Sequence, residues 1–347
     1  MNNDSNQPTP TAILQVGMGL WASKVLLTAV NFRLFTHLAE QGSMSANQIK
    51  SALGLNCSDR NMFDFLDCLT GLGFLKREGL LETARYSNTS DTDTFLDKNK
   101  PSYIGGILEM QNNRGWRIFG NLDEGLKTGL IQSEAKDGGA TLFDSLYQDP
   151  QLLKEFAAAM TGIQMGNFTA FAQTFDFSKY KTLLDVGGSA GVLSALVASH
   201  QPHMTCTSFD LPEIEPIANE TIQKFGLADR VKTFSGDFFN DELPKADIVT
   251  MGNILHDWDE ETKIKLMQKA YDALPAGGVF IAIENVIDND RKENVFGMMM
   301  SLNMLVETGD GFDYTFDDFS KWAKLVGFVS TSLLPLAGPS SAAIAYK

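Results

Sequence analysis

The second half of the chain alternates short apolar runs with helical patterns, and this alternation constrains the fold more than any other feature. The strand candidates are residues 182–186, 204–209, 231–234, 248–251 and 279–283. Helical patterns lie between most of them, which predicts an α/β domain with a parallel sheet covered on both faces. Two later strand candidates, 329–334 and 342–346, are joined by a short connector, so an antiparallel pair is predicted at the end of that sheet.

The first half of the chain is predicted to be helical. Helix-period apolar residues fill 12–39, 45–53 and 59–72, and a short hairpin follows around Gly79. Three helices and a hairpin indicate a winged-helix-like unit, which can bind DNA or serve as a dimerisation or packing module. The net charge of −15 and the acids of the third helix, which contains only Arg60 as a base, favour the packing module.

The length of 347 residues predicts about two domains. The change in pattern gives a disordered tail over 1–12, a helical winged-helix-like domain over 13–165 and an α/β domain over 166–347. The N-terminus lacks a basic-then-apolar signal, and polar residues interrupt the apolar stretch 13–38. Buried amphipathic helices are therefore predicted rather than a membrane span. The protein is predicted to be cytoplasmic, with neither a membrane nor a nucleic-acid partner. The three cysteines show no paired spacing, so no metal site or disulfide is predicted.

A glycine-rich turn follows the first strand of the α/β half. The strand ends at Asp185, and Gly187, Gly188 and Gly191 then open a helix. Glycines let a ligand approach the backbone, and the N–H groups of a helix start favour an anionic group. Many nucleotide-binding folds share this pattern, so it does not by itself identify the ligand.

Acids at the ends of the next two strands sharpen the prediction. Asp210 suits the ribose hydroxyls, and Asp237 can accept from an adenine amino group with Phe238 against the ring. Asp185 suits a cationic amino group or fixes the turn. Each acid alone is equally compatible with a capping or loop role, but three at successive strand ends favour an adenosine ligand without a phosphate clamp. S-adenosylmethionine is therefore preferred to NAD.

His256 follows the fourth strand, at the edge of the sheet where ligands bind in open α/β folds. A histidine there can act as a general base near neutral pH, and the alternative is a buried structural imidazole. Glu284 ends the neighbouring strand and can orient His256 or stabilise its charged form. Its alternative is an ordinary acid at the end of a strand.

These motifs together resemble the S-adenosylmethionine-dependent O-methyltransferases of the caffeate and acetylserotonin type. The segments that carry the resemblance are DVGGSAG, FDLPEI, GDFF, HDWDEE, LPAGGVFIAIE and ETGDGFDYTFDDFSKWAKLVGF. They match in order and spacing over about 150–347, and the N-terminal half resembles the family's dimerisation domain more loosely. The resemblance implies a Rossmann-like methyltransferase sheet, a homodimer formed by the N-terminal domain, a small-molecule acceptor and a place in secondary metabolism.

The resemblance also implies roles for individual residues. His256 matches the base that deprotonates the acceptor hydroxyl, and Glu284 and Asp313 match the two acids that flank it. The matches to cofactor contacts are Gly187, Asp210, Leu211, Asp237 and Phe238. The matches to the apolar acceptor pocket are Phe156, Met160 and Met304, an aromatic or polyketide-like acceptor being expected.

Three positions depart from the family pattern: Ser189 where a third glycine is common, Gly252 where lysine is frequent, and Asp313 where glutamate is usual. They leave room for a second hypothesis, a relative that binds the cofactor but catalyses decarboxylation, hydroxylation or cyclisation. The third hypothesis is a winged-helix DNA-binding regulator. His256 favours methyl transfer over the second hypothesis, and the single base among residues 59–72 argues against the third.

Overall fold

The structure is a computed structural model that describes residues 8–347. The chain forms two compact units, one ending at Trp116 and one running from Arg117 to Lys347. Of the tail predicted over 1–12, residues 1–7 lie outside the described part of the chain, and Thr11 and Ala12 already belong to the first helix.

The first unit contains helices and a small antiparallel sheet. Its helices are α1 (Thr11–Gly17), α2 (Gly19–Asn31), α3 (Leu34–Gln41), α4 (Ala46–Ala52), α5 (Asp59–Gly71), α6 (Ser90–Phe95) and α7 (Gly105–Met110). Its strands are β1 (Met44–Ser45), β2 (Leu75–Glu78) and β3 (Arg85–Asn88), in the order β1-β3-β2. Ser45 begins α4 with a capping box to Gln48, as its position before that helix predicts. Helices followed by a hairpin give the winged-helix-like arrangement expected from the sequence.

The N-terminal helices are apolar but largely exposed in the single chain. Val16 is 81% exposed, Trp21 is 63% exposed, and α1 has no buried residue. The expectation that 13–38 is buried is therefore wrong for its first part and holds for α3, where Leu34, Phe35 and Leu38 lie in the core. Thr11–Asn31 is also the one helical segment among the described residues that is long and apolar enough to span a membrane. Such an apolar face indicates an interaction surface.

The second unit is built on a seven-stranded sheet. The strands are β4 (Thr182–Val186), β5 (Thr205–Asp210), β6 (Val231–Ser235), β7 (Ile248–Gly252), β8 (Val279–Glu284), β9 (Ser330–Pro335) and β10 (Ser341–Tyr346). Their order is β6-β5-β4-β7-β8-β10-β9, and all pairs are parallel except the two made by β10. The predicted parallel sheet and its antiparallel C-terminal pair are both present.

Helices cover both faces of this sheet. The helices from position 116 onward are α8 (Trp116–Phe119), α9 (Leu122–Thr128), α10 (Leu142–Gln148), α11 (Pro150–Thr174), α12 (Val192–His200), α13 (Glu215–Lys224), α14 (Glu260–Ala273), α15 (Val295–Glu307) and α16 (Phe316–Val326). Residues of α11 and α12 share one core with alternate residues of β8, such as Ile281, and residues of α14 and α16 share the other with Phe280. This two-sided burial explains why β8 is apolar without interruption from Val279 to Ile283.

The boundary between the units lies earlier than position 165, where the sequence pattern changes. Residues 117–165 belong to the second unit because α11 packs along α12, so its first half, including the buried Leu153 and Ala157, is part of the core beneath the sheet. Helical periodicity says that α11 has an apolar face but does not say which neighbour covers it.

Candidate active site

The strand order reverses between β4 and β7, and the candidate site lies at their carboxyl ends. The chain runs outward from β4 through β5 to β6 and then returns to the other side of β4 as β7. The connections leaving β4 and β7 therefore diverge and open a crevice, which is where ligands bind in sheets of this kind. The glycine-rich turn follows β4, and His256 follows β7.

The glycine-rich turn after β4 can be built only with glycine at two of its positions. Gly187 has a φ of 69°, and a Cβ there would overlap Ile254. A Cβ on Gly188 would overlap the hydroxyl of the buried Ser208 and lie 3.0 Å from Asp185 Oδ2. Glycine keeps these positions of the turn free of side chains, and this fits a ligand that approaches the main chain closely, as an adenosine-containing cofactor does.

Ser189 occupies a strained position in the same turn. Its φ is 47°, in the left-handed region, while its N–H donates to Asp210 Oδ2 at 2.8 Å. We expect Ser189→Gly to raise the free energy of unfolding by about 0.5–1 kcal/mol, because the backbone strain outweighs the added chain entropy. Denaturant unfolding measures this change. The affinity for the cofactor should not change, since the N–H remains, and a less stable variant would contradict the strain argument.

Asp210 is held at the end of β5 with its carboxylate against the glycine-rich turn. Besides the N–H of Ser189, it accepts the N–H of Leu211 at 2.8 Å, and the hydroxyl of Tyr147 lies 3.5 Å from Oδ1. Burial raises the pKa of Asp210, and these donors oppose the increase. Tyr147 was not selected from the sequence, because a tyrosine on an amphipathic helix gives no signal of a partner 63 residues away.

Asp185 lies beneath the turn rather than at its surface. It is 3% exposed, and the hydroxyl of Thr250 on the neighbouring strand donates to its Oδ1 at 2.9 Å. Burial raises the pKa of Asp185 to about 7. Of the two roles the sequence left open, this contact favours fixing the turn.

Asp237 and Phe238 lie after β6, at the far side of the crevice. The carboxylate of Asp237 accepts the N–H of Phe239 at 2.8 Å and the side-chain amide of Asn240, so it organises its own loop. Each oxygen retains a second lone pair for another donor. Phe238 is half-buried and packs near Trp258, which belongs to the turn after β7.

His256 sits in a 3-10 turn, Leu255–Asp257, directly after β7. It is 6% exposed and surrounded by carboxylates: its Nε2 is 3.6 Å from Asp257 and its Nδ1 is 3.5 Å from Asp313. Burial favours the neutral ring, but the charges of Asp257, Asp313 and Glu284 outweigh it and raise the pKa of His256 above its ordinary value of 6.5. The surrounding carboxylates therefore favour the protonated imidazole.

Glu284 hydrogen-bonds to the backbone of this turn rather than to the imidazole. Its Oε1 accepts the N–H of Ile254 at 3.1 Å and the N–H of His256 at 3.2 Å. Its Oε2 is buried and has no hydrogen-bond partner among the described residues. Glu284 thus fixes where His256 lies, whereas Asp313 and Asp257 are the acids nearest to the ring.

Asp313 reaches the histidine because its loop packs on the 3-10 turn. A Cβ on Gly311 would lie 2.7 Å from the carbonyl oxygens of His256 and Asp257, so only glycine permits this contact. On the other side, the carbonyl of Tyr314 accepts the N–H of Ile287 at 2.8 Å. Both carboxylate oxygens of Asp313 are buried without a hydrogen-bond partner in the described chain. Both oxygens can therefore accept a hydrogen bond from a charged imidazole or from a bound ligand.

The residues matched to an acceptor pocket are only partly brought together. Phe156 and Met160 are half-buried on α11, whereas Leu152, one turn earlier, is 40% exposed. Met304 is buried on α15, and α15 contacts the turn that carries His256. Sequence reasoning missed two buried amides further along the Phe156 face of α11: Asn167 donates to Gln164 and to Ser340.

The packing of Phe168 against Gly252 explains one departure from the family pattern. It ends β7, and a Cβ there would lie 3.2 Å from the ring of Phe168 on α11. Phe168 therefore takes the space that a longer side chain at this position would need.

Among residues 8–347, no group of three or more histidine, cysteine or acidic side chains is arranged to hold a metal ion.

Comparison with known families agrees with this geometry. The model of the O-methyltransferase domain matches residues 119–329, and the model of the O-methyltransferase dimerisation domain matches residues 14–98. A seven-stranded sheet with a glycine-rich turn, an acid after the second strand and a histidine at the switch point is the architecture of a cofactor-dependent methyltransferase.

Several characterised relatives span nearly the whole chain. The tetracenomycin polyketide synthesis 8-O-methyl transferase TcmO of Streptomyces glaucescens is 33% identical over 338 residues, 97% of each chain. The 3-hydroxy-5-methyl-1-naphthoate 3-O-methyltransferase of Streptomyces sahachiroi is 30% identical, over 96% of this chain and 93% of its own. The structure of human N-acetylserotonin methyltransferase in complex with S-adenosylmethionine matches with a TM-score of 0.89 at 26% identity, covering 100% and 99% of the two chains.

The chain belongs to the family of S-adenosylmethionine-dependent O-methyltransferases. The predicted family, Rossmann-like fold, enzyme class and cofactor are confirmed. The match of 14–98 to a dimerisation domain also favours that interpretation of the winged-helix-like unit over DNA binding.

Proposed function

We propose that this protein transfers a methyl group from S-adenosylmethionine to a hydroxyl of a small, flat aromatic or polyketide-like acceptor, with His256 as general base. The observation that carries the proposal is the buried His256 at the switch point, on the other side of the crevice from the glycine-rich turn and within 3.6 Å of Asp257 and Asp313. A histidine so placed can take a proton from a hydroxyl held beside it.

In this proposal His256 converts a neutral hydroxyl, which is a weak nucleophile, into one that can attack the methyl group. When bound, S-adenosylmethionine supplies an electrophilic methyl group on a sulfonium. A phenolic hydroxyl has a pKa near 10, by analogy with tyrosine, and is mostly neutral at pH 7. His256 removes the proton as the oxygen attacks, and Asp257 and Asp313 stabilise the resulting imidazolium. Glu284 keeps the ring in place by holding the N–H groups of the turn.

The cofactor contacts follow from the strand ends. In this proposal Asp210 binds the ribose hydroxyls while the N–H groups of Ser189 and Leu211 keep its carboxylate oriented. Asp237 and Phe238 take the adenine, and Gly187 lets the cofactor lie against the backbone. Asp185 supports the turn from below.

The acceptor class is argued from α11 and α15. Phe156, Met160 and Met304 supply apolar surface suited to a flat ring system, which agrees with the polyketide and naphthoate named for two relatives. On a 3.6-residue helix, Asn167 lies within about 20° of Phe156. Its side-chain N–H groups donate to Gln164 and Ser340, so its Oδ1 gives the pocket a polar end that suits a second hydroxyl of the acceptor.

The first unit is proposed to form a homodimer that covers the exposed apolar face of α1 and α2. Val16 and Trp21 on this face are 81% and 63% exposed in the single chain. Burial in a second copy, rather than in a membrane, is consistent with a cytoplasmic enzyme. Sedimentation of the purified protein should give twice the chain mass of 38.1 kDa, and partition into lipid vesicles would contradict this assignment.

The proposed reaction is tested by supplying S-adenosylmethionine and a panel of hydroxynaphthoates and anthraquinones. We expect S-adenosylhomocysteine and an O-methylated product in equal amounts, measured by mass spectrometry. A decarboxylated, hydroxylated or cyclised product without S-adenosylhomocysteine would support the alternative chemistry instead.

The rate of methyl transfer should rise with pH well above the ordinary histidine range. Carboxylates around His256 raise its pKa above 6.5, so the ring stays protonated, and unable to accept a proton, to higher pH than a free histidine. A plot of kcat/KM for the acceptor against pH is therefore expected to have its acid limb, the range in which activity rises with pH, above pH 6.5. Asp257→Asn removes a charge 3.6 Å from Nε2 and should lower the limb. A limb at or below 6.5 in the unaltered enzyme would contradict the prediction.

A further inference from the structure

A fully buried lysine lies beside the histidine and is not used by the mechanism above. Lys263 on α14 is 0% exposed, although lysine is almost never fully buried without a partner. Its ammonium donates to the carbonyl of Trp258 and lies 3.5 Å from the centre of the Phe312 ring. A charge placed there must be balanced by nearby acids.

The two contacts of Lys263 join the segments that carry the acids around His256. Trp258 directly follows Asp257, and Phe312 directly precedes Asp313. One buried ammonium therefore bridges the end of the 3-10 turn after β7 and the loop before α16, which also pack together at Gly311. A cation–π contact shielded from water is worth more than an exposed one.

The charges facing this lysine come from four elements. Asp257 lies in the 3-10 turn, Asp259 caps α14, Glu284 ends β8, and Asp313 lies in the loop before α16. Burial lowers the pKa of Lys263 to about 8, against the opposing effect of these acids. His256 faces three of the same carboxylates, those of Asp257, Asp313 and Glu284.

We propose that Lys263 is a positioning residue for the methyl-transfer reaction: its buried positive charge offsets the carboxylates around His256 and favours the neutral, proton-accepting imidazole. Three acids around one histidine would otherwise hold the proton on the ring and slow its release to solvent after each turnover. Through its contacts with Trp258 and Phe312, the ammonium also fixes the two segments that carry Asp257 and Asp313. This inference rests on the proposed role of His256 as base.

Lys263→Met tests the charge while keeping the length and apolar stem of the side chain. We expect kcat/KM for the acceptor between pH 6.5 and 8, where Lys263 carries its charge, to fall by up to about tenfold, the effect of moving the acid limb up by about one pH unit. The dissociation constant for S-adenosylmethionine should change less than about twofold, since Lys263 does not contact the glycine-rich turn. Lys263→Gln keeps a donor for the Trp258 carbonyl without the charge and should shift the limb in the same direction.

Two controls separate charge from structure. Lys265→Met removes an exposed lysine of the same helix, paired with Glu261 at 2.6 Å, and should leave the limb in place. Adding Asp257→Asn to Lys263→Met restores the charge balance and should return the limb toward its original position. This double variant also replaces the single one if Lys263→Met folds poorly.

The outcome that overturns the inference is a limb that stays in place in the Met and Gln variants while activity falls equally at every pH. Lys263 would then only support the fold. Failure of the proposed function is distinguishable from this, because it would appear first in the unaltered enzyme, as a lack of methylated product or as full activity of His256→Ala.

Discussion

Replacing His256 with alanine should lower the rate of methyl transfer by about 10²–10⁴-fold, the range that a general base contributes. The affinity for S-adenosylmethionine should remain within about twofold, because the cofactor contacts lie across the crevice at the ends of β4, β5 and β6. Single-turnover rates and calorimetric binding of the cofactor measure the two quantities separately.

His200→Ala is the matched control for this experiment. His200 ends α12 at the surface, where its Nδ1 pairs with the carbonyl of Leu196, and its loss should leave the rate unchanged. Full activity of His256→Ala would overturn the base assignment. A loss of cofactor binding in the same variant would mean that the imidazole instead supports the crevice.

Replacing Asp210 with alanine should weaken S-adenosylmethionine binding on the order of 10–100-fold. A hydrogen bond to a charged group contributes about 1.5–3 kcal/mol, and a tenfold change in affinity corresponds to about 1.4 kcal/mol. The N–H groups of Ser189 and Leu211 also lose their shared acceptor, so the glycine-rich turn becomes less well ordered. Equilibrium binding of S-adenosylmethionine and of S-adenosylhomocysteine measures the loss.

The control for Asp210 is Glu242→Ala, which removes a surface carboxylate from the same half of the sheet and changes the net charge equally. Its cofactor affinity should match that of the unaltered protein. Unchanged affinity in Asp210→Ala would mean that the carboxylate serves only to organise the turn, and the ribose would need another partner. Asp210→Asn should fall between the two, since it keeps the shape and one acceptor oxygen.

Local patterns in the sequence were sufficient for most of the second unit. Each strand predicted in the second unit overlaps an observed one, with ends shifted by at most one residue. These predictions succeed because buried strands and amphipathic helices are specified by residues next to one another in the chain. Asp210 and His256 were also identifiable, because strand ends are a property of local sequence and parallel strands end at a common edge.

The sequence could not show which acid lies beside the His256 ring and which acid binds the backbone of its turn. Glu284 and Asp313 look equivalent as flanking acids, yet Glu284 binds backbone N–H groups while Asp313 lies 3.5 Å from the ring. Lys263 reads as one more charge near the start of a helix, and only packing places it over the Phe312 ring. Such relations depend on which side chain occupies a shared space, and that is set by contacts between residues far apart in sequence.

By itself, then, the sequence determined the order of elements, the α/β sheet, the glycine-rich turn and the position of His256 after β7, since each follows from short-range periodicity and backbone constraints. The tertiary structure alone decided the 116/117 boundary, the filling of the Gly252 space by Phe168 and the exposure of α1. These depend on burial, which is a property of the folded surface and not of any segment. The burial of Lys263 near the acids that surround His256 likewise depends on the folded surface, so sequence patterns could not predict it.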